Sequence, residues 1–366
     1  MKKHLFIILF ATVLLSSIST SAREIAPQTD SLKQGNSKLE KQSVSWDRVN
    51  QHLKISGYLQ ALYTWEYADG KTENSSFRIR RARLSFAGKI AESKKAGVAD
   101  YRLQVDFAES PKIVDAWVRY RPFSQLGIQV GQFKIPLSIE NSEYAPLKLE
   151  FIDYSLVVQR LVKMSSHDVT DISSTGRDMG AQLYGSFVKK DNYSIINYNL
   201  AIFNGCGINQ KRDSNTSKDF VGRLMINPLK DLTIAGYYQY GEGNFGEQKS
   251  VGYQRYGGGI AYNGCHAFVR SEYLRGNTGA LVSEGGYASA GWKFHTAKAG
   301  NGSVGVRFDY FDENVLSKQR EFNYTIGAAY QPWKYLRLQL NYTIKQYQHF
   351  NQPLTHSLMA MVSGIF

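Results

Sequence analysis

The chain has 366 residues, with 44 lysines and arginines against 31 aspartates and glutamates and a net charge of +13. Tyrosine (24) and glycine (32) are frequent and proline (8) is scarce, which favours many strands joined by short turns. The basic balance admits nucleic acid, a membrane surface or small anions as partners, and two cysteines, Cys206 and Cys265, exclude more than one disulfide.

At the N-terminus Lys2 and Lys3 precede an apolar run from Leu5 to Leu15, and the small-residue stretch SSISTSA ends at Ala22. This pattern predicts a secretory signal peptide over residues 1–22, cleaved after Ala22. A membrane anchor would need roughly 20 apolar residues, well beyond this run. Residues 23–51 are polar and lack a sustained apolar period, which predicts a periplasmic extension. No later segment has the composition of a transmembrane helix. A soluble exported protein and an outer-membrane barrel remain.

From His52 to Phe366 the chain alternates apolar and polar residues in segments such as YRLQVDFAE, SVGVRFDYF and YLRLQLNYTIKQY. Sixteen strands are expected, starting near residues 52, 76, 99, 112, 125, 176, 192, 218, 231, 251, 264, 285, 302, 320, 335 and 356. Tight connections (ESKKAG, RPFSQ, NPLKD, NG, QPWK) follow even-numbered strands, and longer polar ones such as CGINQKRDSNTS and GNTGALVS follow odd-numbered strands. An even strand number with short turns on one side predicts an all-β, transmembrane antiparallel barrel of about sixteen strands in the outer membrane. Lipid and lipopolysaccharide then surround it. The closing segment HSLMAMVSGIF ends in Phe366, the type of C-terminal aromatic that barrel-assembly machinery reads.

The strand FRIRRARLSFAGKI sets its charge against this background. Arginine or lysine facing lipid costs about 2–4 kcal/mol at the bilayer midplane. Arg81, Arg83 and Lys89, opposite Ala82, Leu84 and Phe86, are therefore expected to face the lumen. Arg78 and Arg80 are out of phase, which a bulge between Arg80 and Arg81, or a position at the outer rim, would accommodate. The same reasoning sends Arg102, Arg119, Arg121, Arg223, Arg255, Arg270, Lys293, Arg307, Arg337 and Lys345 inward. Arg270 with Glu272 and Arg307 with Asp309 are expected to pair. A lumen with excess guanidinium attracts anions.

FRIRRARLSFAGKI, YRLQVDFAES, VDAWVRYRPF and LGIQVGQFKIPLSIE, in that order, resemble the phosphate-selective porin O and P family, and GRDMGAQLYG and LAIFNG continue the likeness. The resemblance implies a sixteen-stranded channel, usually a homotrimer, narrowed by its third loop, with a ladder of arginines leading anions to a central site. It places Arg78, Arg80, Arg81 and Arg83 on the ladder, and Asp115 and Lys134 at the narrowing. The loop from Ile135 to Thr175 carries Lys148, Arg160 and Lys163 against Glu140, Glu143, Glu150, Asp153, Asp168 and Asp171. An acidic loop facing a basic wall predicts a transverse field. A dedicated phosphate site would instead want converging donors without competing carboxylates.

Gly241, Gly243 and Gly246 in GEGNFG match a dinucleotide-binding spacing, but no helix pattern follows, so a polar loop tip is expected. No histidine or cysteine spacing suits a metal, and basic residues do not gather on a helix as nucleic-acid binding would want. The sequence thus predicts a non-enzymatic porin without cofactors, conducting small anions, with phosphate or polyphosphate as the solutes that the resemblance implies. A weakly selective general porin and a closed structural barrel or adhesin are the competing readings.

Overall fold

The computed structural model describes residues 52–213, 216–245, 248–296 and 300–366. The predicted leader and the polar stretch 23–51 lie outside the described residues. Within them the chain forms β1 (Lys54–Ala68), β2 (Asn74–Ser93), β3 (Gly97–Asp106), β4 (Lys112–Phe123) and β5 (Leu126–Lys134). After a long connection come β6 (Arg177–Lys190), β7 (Tyr193–Phe203), β8 (Asp219–Leu229), β9 (Leu232–Phe245), β10 (Gln248–Asn263) and β11 (Ala267–Thr278). β12 (Leu281–Thr296), β13 (Gly300–Asp312), β14 (Arg320–Trp333), β15 (Leu336–Gln348) and β16 (Thr355–Ile365) complete the set. Each strand is antiparallel to its chain neighbours, and β1 pairs with β16 to close the barrel.

Closure is completed by the last residue. Phe366 and Gly57 exchange two backbone hydrogen bonds of 2.9 and 3.0 Å. The outer surface is the apolar half of each alternation: Ile128, Val130, Leu200, Leu224, Val304, Val306 and Leu340 are all exposed. Trp292, Trp333 and Tyr335 mark the short-turn end of this band, and Phe77, Phe220 and Tyr240 the other. Apolar middle and aromatic rims are what a lipid bilayer selects.

Two stretches expected as loops belong to the wall. β11 runs through Thr278 and β12 resumes at Leu281, so GNTGALVS contributes only Gly279 and Ala280 to a turn. Gly241 and Gly243 likewise lie within β9. Polar composition misled here because the strands continue past the lipid band, where a cross-strand pair such as Arg275–Glu284 (2.7 Å) sits on the surface.

Residues 135–176, here loop 3, turn into the barrel and form two short helices, α1 (Ile139–Glu143) and α2 (Leu156–Leu161). Leu137, Ile139, Val157, Val158 and Leu161 pack against Phe203, Val221, Met225, Leu274 and Phe311 of the inner wall. Gly276 and Gly327 make the approach possible: a Cβ there would lie 3.0 Å from Leu161 Cδ2 and 2.7 Å from Phe151 Cδ1, respectively. Much of the interior is therefore a dry core rather than an open aqueous lumen.

Candidate pore-lining site

The pairing register puts Arg78, Arg81 and Arg83 of β2 in one phase, by way of an irregularity at Arg80. Gln60 pairs with Arg81 and Ala61 with Ile79, so Arg80 is the extra residue of a β-bulge. Arg78, opposite the interior residue Leu62, thereby regains the phase of Arg81 and Arg83. The bulge points the Arg80 guanidinium at Asp153 of loop 3, with which it forms an ion pair.

The remaining expected residues mostly find partners. Arg83 Nε donates to Asp106 at 2.8 Å, both side chains buried. Asp115 accepts from Arg177 Nε at 2.7 Å and lies 3.4 Å from Arg102. Arg119 grips Asp100 through two hydrogen bonds of 2.8 and 2.6 Å. Lys134 Nζ donates to the carbonyls of Asn141 and Tyr144 at 2.5 and 3.0 Å, fastening the end of α1. Arg81 differs: its guanidinium donates to Gln60 Oε1 at 3.0 Å and forms no ion pair among the described residues. Arg78 is exposed.

Wall carboxylates hold loop 3 by its helix starts. α1 begins at Ser138, and the N–H groups of Ile139 and Glu140 donate to Glu272 on β11 at 2.6 and 2.8 Å. The hydroxyls of Tyr237 and Tyr287 reach the same carboxylate at 2.5 and 2.8 Å. α2 begins where Leu156 N–H meets Asp309 at 2.9 Å, and Arg307 Nε donates to that carboxylate at 2.8 Å. Negative charge at a helix start is stabilised by the unpaired N–H groups there. The C-terminal part of the loop is pinned by Lys163, whose Nζ reaches Gly205 O, Tyr253 Oη and Asp219 at 2.6, 2.8 and 3.0 Å. Burial disfavours this ammonium, but the Tyr253 hydroxyl and the Asp219 and Asp178 carboxylates outweigh it and hold it above the usual lysine range.

Two expectations about charge are corrected by these contacts. The expected Arg307–Asp309 pair forms, but Arg270 turns to Glu140 (3.3 Å) and Glu150 (2.8 Å) of loop 3, leaving Glu272 to α1. Four of the six acids of loop 3 do not face a basic wall across water but touch it. Glu140, Glu143, Glu150 and Asp153 are paired to Arg270, Arg223 and Arg80; for Glu140 and Glu150, which are buried, a partner within contact distance is needed to offset desolvation. Arg177, which ties Asp115 down, and Lys163 were not singled out by the sequence. Their partners come from strands remote in the chain, and no local pattern signals them.

Two cavities remain beneath loop 3, toward the short-turn end. One of about 460 Å³ is lined by Tyr58, Arg83, Arg102, Lys134, Arg177 and Arg223, among others. The second, about 740 Å³, lies on the opposite side, against residues of β8 to β15. Both touch Glu143 and Leu147, so this stretch of loop 3 lies between them.

Structural comparison finds the same architecture in solved porins. An anion-selective porin from Comamonas acidovorans is 11% identical, with 86% of this chain and 99% of that chain covered and a TM-score of 0.64. OprB of Pseudomonas putida is 8% identical, with 88% and 96% covered and a TM-score of 0.64. The trimer form of OmpT, an outer-membrane protein of Vibrio cholerae, is 8% identical, with 86% and 100% covered and a TM-score of 0.60. No curated protein sequence matches the chain. The family model for phosphate-selective porin O and P matches residues 54–361. That span runs from the first strand into the last, and the chain accordingly belongs to the phosphate-selective porin O and P family of outer-membrane porins.

Proposed function

We propose that the protein is a passive channel for small hydrophilic anions across a bacterial outer membrane, exported by its N-terminal leader and assembled as a homotrimer. The observation that carries the anion preference is Arg81. Interior carboxylates neutralise most guanidinium groups around it, yet this one is held by an amide alone. An uncompensated charge in a narrow, low-dielectric passage attracts anions and repels cations. Arg78, Arg80, Arg81, Arg83, Arg102, Arg119, Lys134 and Asp115 form the inward set on that side of the lumen in this reading, and loop 3 sets the narrowest part. The trimer follows the family and the trimeric form of OmpT. Anion preference in the anion-selective porin of Comamonas acidovorans supports the same reading. The ion pairs around Asp115 argue for general anion passage over one dedicated phosphate site, since the carboxylate competes for the donors.

Proteoliposome swelling tests this reading. Vesicles containing the purified protein should swell in small anionic solutes faster than in cationic solutes of equal size. Equal rates for both would favour the weakly selective general porin, and no swelling would favour a closed barrel.

A further inference from the structure

We propose that the larger cavity, on the β8–β15 side of loop 3, is a binding vestibule for polyhydroxylated organic anions of the sugar-phosphate or sugar-acid class. This rests on the reading of the chain as an anion channel and adds, beside Arg81, a second place where anions are held and the class held there.

Charge compensation separates the two cavities. In the smaller one Arg83 faces Asp106, Arg102 and Arg177 share Asp115, and Arg223 faces Glu143 at 2.6 Å. The larger one is lined by Lys148, Lys230, Lys293 and Arg337. None of these four has a carboxylate within 4.0 Å among the described residues. Its acids are largely committed elsewhere, Glu143 to Arg223 and Glu150 to Arg270, which leaves Asp231. The cavity thus gathers four cations without an adjacent carboxylate, in addition to Arg81, which lies outside it. Most of that charge is lysine, a hydrated point charge that attracts an anion without the two-pronged grip that would trap it.

Between the cations stand carboxamides, Asn227, Asn263, Asn301 and Gln331, with the hydroxyls of Thr233 and Ser303. Each carboxamide is anchored on one side, Asn263 Oδ1 by Lys293 Nζ, Asn301 Oδ1 by His295, Gln331 Nε2 on the Lys334 carbonyl and Asn227 between Ser194 and Thr233. What remains, the amide nitrogens of Asn263 and Asn301 as donors and the Gln331 oxygen as acceptor, suits a ring of hydroxyls better than a bare inorganic anion. A volume of about 740 Å³ also exceeds what one phosphate needs and falls in the range of small-molecule sites. Arg337 is tied to the carbonyls of Leu147 and Leu149, so it positions the loop as well as charging the wall.

The test is single-channel recording of the full protein with glucose 6-phosphate, gluconate and inorganic phosphate as probes. Glucose 6-phosphate and gluconate should interrupt the chloride current at lower concentration than inorganic phosphate does. Lys148→Gln with Lys293→Gln should weaken interruption by both organic anions about tenfold. Asn301→Ala with Gln331→Ala should erase the preference over inorganic phosphate while chloride selectivity persists. The inference is overturned if wild-type channels are anion-selective yet treat the three probes alike, or if the lysine pair changes nothing. It is also overturned if Arg102→Gln alone reproduces the full effect, which would put binding in the smaller cavity. Absence of anion-selective current would instead sink the channel reading itself, and this proposal with it. Heat-dependent gel mobility of each variant reports whether its barrel has folded.

Discussion

Lys163 and Asp219 meet at 3.0 Å, 56 positions apart in the chain, with both side chains all but excluded from solvent. The contact joins the C-terminal part of loop 3 to the long-loop end of β8, with Tyr253 and Asp178 closing around the ammonium.

Replacing Lys163 with methionine should therefore loosen loop 3 rather than the barrel. Breaking a buried pair by removing one partner costs about 3–5 kcal/mol, because the stranded charge stays in a dry site. Here Asp219 and Asp178 would be left together. The expected result is higher open-channel noise and easier protease cleavage within residues 155–176, with the heat-modifiable barrel retained. Noise and cleavage equal to wild type would mean that the helix-start contacts hold the loop unaided.

Arg81 and Arg83 are two residues apart, face the same way and should behave differently on reversal to glutamate. Arg83→Glu would set a carboxylate against Asp106 in a buried position, so it should lower the yield of folded barrel. Arg81→Glu would give up only the Gln60 hydrogen bond and no ion pair, and would stand in sequence between Arg80 and Arg83, so it should fold in better yield than Arg83→Glu. At an effective dielectric of about 20, unit charges about 8 Å apart interact by roughly 2 kcal/mol. Arg81→Glu should accordingly shift selectivity toward cations, most strongly at low salt. Unchanged selectivity in the folded variant would remove Arg81 from the ion path.

Much of the fold was legible in the sequence because a bilayer imposes a strict rule on alternation. The expected strand starts fall within about four residues of those observed, and the bulge needed to bring Arg78 into phase occurs at Arg80. Cys206 lies in the long connection between β7 and β8 and Cys265 in the short turn between β10 and β11, at opposite ends of the barrel. The interior was less legible. Phe203, Val221 and Leu274 face inward, against the rule that polar residues line a lumen, because their partners lie in loop 3. Reading Arg270 with Glu272 from their spacing failed for the same reason: Glu140 and Glu150 compete for the arginine from a loop more than a hundred residues away.

Deleting residues 146–166 should raise single-channel current substantially. The segment carries α2 and the residues that cover Phe311 and Leu274, so its loss replaces a dry core with water while the wall strands keep their hydrogen bonds. Unchanged current in a folded barrel would place the narrowing outside this segment.

On the outer face, Val306→Arg should impair membrane insertion. Val306 is 58% exposed in the middle of β13, where a lipid-facing arginine costs about 2–4 kcal/mol. The yield of heat-modifiable barrel should fall, and any channels that do form should keep wild-type selectivity. Normal insertion would contradict the assignment of this face to lipid.

In the reading proposed above, the interior's uncompensated positive charge makes this barrel an anion channel. The most direct measurement is the zero-current potential of the purified protein in a planar bilayer separating two potassium chloride concentrations. An anion channel gives a potential with the sign set by chloride, growing as both solutions are diluted and screening weakens. A potential near zero at every dilution, or one with the sign set by potassium, would contradict it.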